Sequence, residues 1–283
     1  MTIAMTRPWI RGAILLFVLL LAAPALANRP FNTDDARIVE HGELDLETEI
    51  ALDVNRGDLT PLLGIDAGIG LANLLEARVF MGLGLDAEQE FTLANPGVEA
   101  KLLIHRPVPG DMVGVAFVAG AALPVGTGGA YSDATTLYGY IPLSAVNRRE
   151  TVELHANVGY AIGLLPDDNT SFRAHWGAAI ASRPFTAPVM LAFEVGSSDP
   201  RDILGPDVEI RLGARYEGLD AVDLDAFFGL LPDYNFVDGS VEAWPWTIGV
   251  GATFNFALFG DAASRSGHSQ GAHGLVVPSR YRE

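Results

Sequence analysis

The sequence predicts an all-β fold: a transmembrane antiparallel β-barrel of about twelve strands, of the outer-membrane type. Three observations lead to this prediction. Apolar and polar residues alternate along twelve segments, and the connections between those segments differ in length in a regular way. In addition, 49% of the residues are hydrophobic, yet no apolar run beyond residue 27 is long enough for a membrane-spanning helix.

The first 27 residues have the pattern of a signal peptide. Arg7 and Arg11 precede an eleven-residue apolar run that starts at Ala13, and Ala25-Leu26-Ala27 fits a small-x-small cleavage site. A retained membrane anchor is the alternative, but the apolar run is shorter than the roughly 20 residues that a spanning helix needs. We therefore expect residues 1–27 to be removed and the protein to be exported.

The composition excludes several function classes. Without the leader, the chain has 16 basic and 35 acidic residues, a net charge of −19, which argues against binding to nucleic acid. The chain has no cysteine, so thiolate catalysis, cysteine metal ligation and disulfides are all excluded. An exported domain of this kind must be stabilised by a large hydrogen-bonded or apolar framework.

The first segment, "GELDLETEIALDVNRGD" at 42–58, shows the alternation clearly. Leu44, Leu46 and Ile50 fall on one parity, and Glu47 and Glu49 fall on the other. A period of two is typical of a strand with one apolar face and one polar face. The pattern recurs in eleven more segments: 63–71, 75–83, 98–105, 113–119, 136–144, 152–163, 173–180, 189–196, 208–217, 222–228 and 246–256.

The last segment has the length that a membrane strand needs. Ten steps of about 3.3 Å, tilted by about 40°, project to roughly 25 Å, which is the height of an outer-membrane apolar band. Trp246 lies at one end of this segment, and Phe254 and Phe256 lie at the other. We expect these three side chains to lie at the two membrane interfaces, where aromatic girdles occur.

The connections give a second signal. Those after the third, fifth, seventh, ninth and eleventh segments are predicted to be long, as in "DAEQEFTLANPG" and "PVGTGGAYSDA". Those after the even-numbered segments are shorter, and the first, "NRGD", is also short. Long loops at one end and short turns at the other are typical of outer-membrane barrels.

The polar parity is expected to face a lumen, because a charged side chain facing lipid at mid-bilayer costs about 2–4 kcal/mol for Arg or Lys. Thirteen acids, Glu217 among them, and five bases share this parity, an excess of eight negative charges. Such a lumen favours cations or neutral polar solutes, unless the charges pair across the barrel and partly close it. The predicted lumen-lining residues are Asp45, Glu47, Glu49, Asp53, Asp66, Glu76, Arg78, Glu99, Lys101, His105, Glu153, His155, Asn157, Arg173, His175, Glu194, Glu209, Arg211, Arg215, Asp223 and Asp225.

Catalytic and metal sites are weaker hypotheses. His155, Asn157 and His175 suggest a hydrolase, but Ser144 and Ser182 lie near strand ends, and no Gly-x-Ser-x-Gly elbow is present. His105, His155 and His175 lack the spacing of a metal site. We therefore predict no enzyme activity, no metal and no cofactor.

The barrel is predicted to span 42–256, between two different flanks. Residues 28–41 are expected to form a periplasmic segment that contains the box "RPFNTDDA". Residues 257–283 are small and polar, which predicts a disordered tail in which His268 and His273 are solvated.

The box and the acidic strand that follows it resemble the start of the outer-membrane transporter family grouped under the MetA pathway of phenol degradation. The matching residues are Arg29, Pro30, Thr33, Asp34, Asp35, Ala36 and Gly42. "HANVGY" (155–160) and "WTIGVGATFNF" (246–256) also resemble later strands of that family. The tail after Phe256 departs from it, because such barrels usually stop near a terminal aromatic residue. The resemblance implies a barrel with a transport role for aromatic or hydrophobic compounds.

These observations predict a barrel in a Gram-negative-type outer membrane that passes small solutes passively. Its expected partners are outer-membrane lipid, the barrel-assembly machinery and the solute itself. A barrel that is structural or closed by its loops is the first alternative, and a lipid hydrolase is the second.

Overall fold

The chain forms a closed barrel of twelve antiparallel strands in a computed structural model that describes residues 31–55, 58–86, 90–166, 169–203, 205, 207–219, 222–235 and 240–258. The predicted fold class is therefore confirmed. Within these ranges no helix has the length and apolar composition needed to cross a membrane. The strands are β1 (Glu43–Asn55), β2 (Asp58–Ala72), β3 (Leu75–Leu85), β4 (Phe91–His105), β5 (Gly114–Ala122), β6 (Thr135–Val146), β7 (Val152–Leu164), β8 (Thr170–Ser182), β9 (Val189–Gly196), β10 (Glu209–Tyr216), β11 (Val222–Leu230), β12 (Asp233–Asn235), β13 (Ser240–Ala243) and β14 (Trp246–Ala257).

The first and last strands close the barrel. β1 pairs with β14 along nearly its whole length, with Leu44 opposite Phe256 and Val54 opposite Trp246. The strands from β1 to β11 pair in chain order, and β11 pairs with β14. β12 and β13 form a separate two-stranded sheet within the connection between β11 and β14. Closure leaves no unpaired edge strand in the barrel wall.

The alternating apolar and polar residues of the strands form the outer and inner faces of the barrel wall, respectively. In β8, Phe172, Ala174 and Trp176 are exposed on the outside, and Arg173 and His175 between them are buried. Most of the other strands follow the same order, with aliphatic or aromatic side chains outside. The hydrophobic pattern thus sets which face of each strand turns inward.

Three connections at one end of the barrel are long: 123–134, 197–208 and 231–245. We call this the long-loop end. The predictions of long connections after the third and seventh strands are wrong, because β4 already begins at Phe91 and only residues 165–169 separate β7 from β8. A register shift between Phe80 and Gly82 lets the strand continue past Asn95-Pro96. A bulge of this kind tolerates proline and other turn-type residues inside a strand.

Part of the interior is packed with apolar side chains. Phe80, Val118, Tyr138 and Tyr140 on the wall form a buried cluster, and Ile203 of the β9–β10 connection packs into it. This connection therefore folds back into the barrel.

The described part of the segment before β1, residues 31–42, also lies inside the barrel, and we call it the inner segment. Ala36 has no exposed surface, and Thr33 and Asp35 are buried. The sequence predicts a periplasmic segment at 28–41, and for its described residues, 31–41, the structure gives a position inside the barrel lumen. Its polar groups have partners on the inner wall, which an isolated sequence motif does not reveal. Arg29, Pro30, the predicted signal peptide and residues 259–283 of the predicted tail lie outside the described residues.

Candidate functional site

The barrel encloses a cavity of about 1130 Å³ towards its long-loop end. Its walls come from β1 to β4, β10, β11 and the start of β14, together with residues 129–132. Two inward-folded pieces of chain complete it: Phe31–Asp34 of the inner segment, and residues 198–202, Gly205 and Asp207 of the β9–β10 connection. The cavity is therefore formed jointly by strands and by chain segments that enter the lumen.

The cavity walls are strongly acidic. Among the described residues, twelve acids and four bases line it, an excess of eight negative charges. A cleft of one sign with low-dielectric walls concentrates ions of the opposite sign. The acids are Asp34, Glu47, Glu49, Asp53, Asp66, Glu76, Asp86, Glu99, Asp199, Asp202, Asp207 and Glu209, and the bases are Arg78, Lys101, Arg201 and Arg211.

Arg78 on β3 holds several of these acids together. Its guanidinium lies 2.9 Å from Glu47 Oε1, 3.2 Å from Asp66 Oδ1, 2.8 Å from Glu76 Oε1 and 3.4 Å from Asp45 Oδ2. Four carboxylates from three adjacent strands contact this one guanidinium, and Asp66 has Arg201 as a second cationic partner. The planar fork of arginine allows these contacts at the same time.

The inner segment begins at the cavity floor, where it contacts β9 and β10. The backbone N–H of Asn32 donates to Glu194 Oε2 at 2.9 Å, and its side-chain amide donates to Glu209 Oε2 at 2.7 Å. The backbone N–H and the hydroxyl of Thr33 both donate to Glu194 Oε1. Two wall carboxylates therefore serve as acceptors for the inner segment.

Next along the chain, Asp34 and Asp35 pair with cations. Lys101 Nζ lies 2.8 Å from Asp34 Oδ2 and 4.0 Å from Asp35 Oδ1. Burial raises the pKa of Asp34 above its usual value, although Lys101 opposes this shift. Burial would also raise the pKa of Asp35, but Arg37 and Lys101 beside it hold that pKa below its usual value.

The rest of the inner segment runs to the opposite end of the barrel. The backbone N–H of Ala36 donates to Ser144 Oγ at 2.8 Å, and that of Val39 donates to Glu76 Oε2 at 2.8 Å. Gly42 N donates to Gly70 O at 2.9 Å, just before β1 starts. The contacts thus extend from the middle of the lumen to the end where β2 turns into β3.

The β9–β10 connection brings Arg201 into the lumen. Arg201 Nη1 lies 2.8 Å from Asp66 Oδ2, and Nη2 lies 3.3 Å from Glu99 Oε2. Its Cζ lies 4.1 Å from the centre of the Phe80 ring, a cation–π contact. Burial would lower the pKa of Arg201, but Asp66 and Glu99 raise it well above its usual value. On the same connection, Ser198 Oγ accepts a 2.7 Å hydrogen bond from Arg173.

Two serine–histidine pairs are present, and this bears on the hydrolase alternative. Ser144 Oγ and His155 Nδ1 share a hydrogen bond of 2.9 Å, and His155 Nε2 lies 3.5 Å from Glu153 Oε2. However, Ser144 is 1% exposed and also accepts the Ala36 N–H. A nucleophile needs space for a reacting carbon beside it, and none is open here. Ser197 and His175 form the second pair at 3.0 Å, and neither residue lines the cavity.

Twenty of the 21 predicted lumen residues lie on the inward parity of their strands, and they separate into two groups. His105 is the exception, because a register shift follows Leu103 and His105 pairs with Val115, which has the outward parity of β5. Glu47, Glu49, Asp53, Asp66, Glu76, Arg78, Glu99, Lys101, Glu209 and Arg211 line the cavity. The others lie elsewhere on the inner wall, where several pair with each other or with the inner segment: Asp45, Glu153, His155, Asn157, Arg173, His175, Glu194, Arg215, Asp223 and Asp225. Arg215 Nε, for example, lies 2.8 Å from Asp225 Oδ1. No group of three histidine, aspartate or glutamate side chains in the described ranges could hold a metal ion.

The three predicted interface aromatics differ in exposure. Trp246 is 37% exposed and stacks on Phe228 at a ring distance of 6.2 Å on the outer face. Phe256 is half-buried, and Phe254 is only 1% exposed, packed against Leu46 and Val222. Phe254 is therefore not the lipid-exposed aromatic that its place in the pattern predicts.

The sequence pattern missed the residues that come from outside the strands. Arg201, Arg37 and Arg183 lie in non-periodic segments, so no alternation indicates that their side chains turn inward. Arg183 Nη1 lies 2.6 Å from Glu153 Oε1 and Nη2 lies 2.8 Å from Glu217 Oε1. The acidic excess of the inner face was the one indication in the sequence that cationic side chains from other segments enter the lumen, because buried carboxylates need cationic partners.

The fold of this chain is similar to the folds of one solved outer-membrane channel and two solved porins. The COG4313 outer membrane channel from Pseudomonas putida F1 has a TM-score of 0.50 at 8% identity, covering 82% of this chain and 100% of that one. The KdgM porin in complex with disordered oligogalacturonate has a TM-score of 0.49 at 10% identity, covering 76% and 99%. The NanC porin has a TM-score of 0.47 at 12% identity, covering 75% and 98%. No protein-family model and no curated protein matches the chain, so the resemblance to the MetA-pathway family stays a hypothesis.

Proposed function

We propose that this protein is an outer-membrane channel that passes small solutes passively and favours cations and neutral molecules over anions. The observation that carries the proposal is the acidic cavity of about 1130 Å³ inside a closed barrel. An excess of eight negative charges on its walls attracts cations and repels anions. Small neutral solutes fit into a cavity of this volume, and the acidic walls do not repel them.

The outer face supports a membrane location. Many large apolar side chains are exposed on this face, among them Val79, Val98, Val158 and Leu212, each more than half exposed. In water such a surface would drive association, whereas in lipid it is the expected exterior of a barrel. This location implies outer-membrane lipid and the barrel-assembly machinery as partners. It also implies export across the inner membrane, directed by a signal peptide that is then cleaved.

Aromatic solutes are a finer part of the proposal. The family resemblance implies aromatic or hydrophobic compounds, and the rings of Phe31, Tyr140 and Phe227 line the cavity. Aromatic rings beside carboxylates suit a solute that has both a flat apolar part and a positive or neutral polar part. We therefore include small aromatic cations among the solutes.

The alternative is a barrel closed by its own chain. The inner segment and the β9–β10 connection fill part of the lumen, and both are held by ion pairs. This alternative predicts a folded barrel that conducts no ions.

Conductance of the purified full chain in planar bilayers separates the two. Under a tenfold gradient of KCl, a reversal potential of the sign set by K⁺ is expected, since the walls are acidic. Flux into proteoliposomes then compares two permanently charged aromatics of similar size, benzyltrimethylammonium and benzenesulfonate. Faster entry of the cation is expected. Absence of current at every voltage, or a preference for the sulfonate, would contradict the proposal.

A further inference from the structure

We propose that Asp66, Glu99 and Phe80 form a binding site for guanidinium-bearing cations, and that Arg201 of the β9–β10 connection occupies this site as an internal ligand. The inference rests on the proposed function, because it names one class of solute for the same cavity. The inference goes beyond that function because it assigns a defined binding site on the wall and identifies Arg201 as a side chain that competes with the solute for this site.

The wall supplies two carboxylate acceptors and an aromatic face for a guanidinium. Arg201 donates from Nη1 to Asp66 Oδ2 on β2 at 2.8 Å and from Nη2 to Glu99 Oε2 on β4 at 3.3 Å. The Phe80 ring on β3 lies under the guanidinium carbon at 4.1 Å. Two acceptors on separate Nη atoms with an aromatic face beneath match the flat, forked shape of a guanidinium better than that of an ammonium.

The wall residues are held in place without Arg201. Asp66 Oδ1 contacts Arg78 at 3.2 Å, so only Oδ2 is directed to the site. Tyr138 donates its hydroxyl hydrogen to Glu99 Oε2 at 2.8 Å, which fixes that carboxylate. Phe80 is buried in the apolar cluster with Tyr138. Removing Arg201 is therefore expected to leave a preformed site rather than a collapsed one.

The site is also open to the cavity. Asp66, Phe80, Glu99 and Arg201 all line it, so a solute in the cavity reaches the same atoms. Arg201 enters from a connection that is anchored separately, by Ile203 in the apolar cluster and by Ser198 on Arg173. Because it is tethered, Arg201 acts at a high effective concentration and masks the site from weakly binding solutes.

Arg183 is a matched control. It also bridges two carboxylates, Glu153 and Glu217, at 2.6 and 2.8 Å. It does not line the cavity and has no aromatic ring beneath its guanidinium in the described residues. Removing Arg183 therefore vacates a pair of carboxylates without creating the proposed site.

The test measures binding of methylguanidinium to the detergent-solubilised full chain by isothermal titration calorimetry. The folding of each variant is checked by heat-modifiable migration on a gel. Arg201→Ala is expected to bind methylguanidinium at least tenfold more tightly than wild type. Arg183→Ala is expected to match wild type. Adding Glu99→Gln to Arg201→Ala is expected to remove most of the gain, because the neutral amide keeps the acceptor for Tyr138 but loses the charge.

Tetramethylammonium, which donates no hydrogen bond, is expected to show no such gain. The inference is overturned if Arg201→Ala binds methylguanidinium no more tightly than wild type, or if Arg183→Ala shows an equal gain. It is also overturned if tetramethylammonium gains as much as methylguanidinium. Because binding is measured without current, a barrel that binds but does not conduct contradicts only the proposed function. A barrel that conducts cations but shows no gain in binding contradicts only this inference.

Discussion

Replacing Gly177 with alanine is expected to displace the inner segment while leaving the barrel intact. Gly177 lies on the inward face of β8, and a Cβ there would come closer than 3.0 Å to Thr33 Oγ1. A contact of that kind forces Thr33 away from Glu194, to which it donates two hydrogen bonds. Alanine itself is at least as compatible with a strand as glycine, so the wall is not expected to unfold.

The magnitude follows from the hydrogen bonds that are lost. Each hydrogen bond to a charged acceptor contributes about 1.5–3 kcal/mol, so the loss of the bond from the Thr33 hydroxyl alone changes the fraction of displaced inner segment by about 10- to 150-fold. The natural chain has no cysteine, so a single thiol introduced by Ala36→Cys reports on this fraction. Ala36 has no exposed surface, and a maleimide therefore reaches the thiol only when the segment leaves its place.

The assay measures the rate of maleimide labelling in the Ala36→Cys background, together with conductance in bilayers. Gly177→Ala is expected to raise the labelling rate about 10- to 150-fold and to raise conductance. Gly64→Ala is the control, because it lines the same cavity and its Cβ would meet its nearest neighbour at 3.9 Å, an ordinary contact. Equal labelling rates for Gly177→Ala, Gly64→Ala and the parent would refute the reasoning.

Three further predictions concern the charges of the lumen. Lys101→Met leaves the Asp34 carboxylate without its cation, which costs up to about 3–5 kcal/mol for a buried pair, and faster labelling of the thiol at position 36 is expected. Because the pKa of Asp35 is lowered, its contribution to holding the inner segment is complete above pH 3.8 and is lost as the pH falls below that value. Relative to an exposed-cysteine reference, which corrects for the falling thiolate fraction in acid, labelling should therefore accelerate below pH 3.8. Asp35→Asn should remove that acceleration, and an unchanged pH profile in this variant would contradict the assignment. Replacing Glu49 and Asp53 with their amides lowers the negative excess of the cavity from eight to six, so the reversal potential in a KCl gradient should move towards zero, and an unchanged potential would count against the electrostatic explanation.

The wall of the barrel could be predicted because the information is local. In β8, the charged side chains must face the interior and the apolar side chains between them must face lipid. A shift by one residue would place Arg173 and His175 in hydrocarbon. The same constraint holds along each strand, so facing, strand number and closure follow from a period of two. The start of β4 could not be predicted in this way. Asn95-Pro96-Gly97 is typical of a turn in isolation, and the strand accommodates it only through the bulge opposite β3.

The candidate site could be predicted only in part. The inward position of Glu194 is readable from β9, but its role as the acceptor for Thr33 is not, because 161 residues separate the two. Likewise, nothing near Arg201 in the sequence indicates that it reaches Asp66 and Glu99. Long-range pairs of this kind depend on which strands become neighbours across the lumen.

The amino-acid order by itself thus determined the all-β class, the twelve strands and the acidic character of the inner face, because side-chain period and charge are properties of short stretches of chain. Only the tertiary structure decided that residues 31–42 and the β9–β10 connection enter the lumen and neutralise part of that charge. The physical reason is that carboxylates facing a confined interior must find cations or hydrogen-bond donors, and the chain supplies them from whichever non-periodic segments can reach.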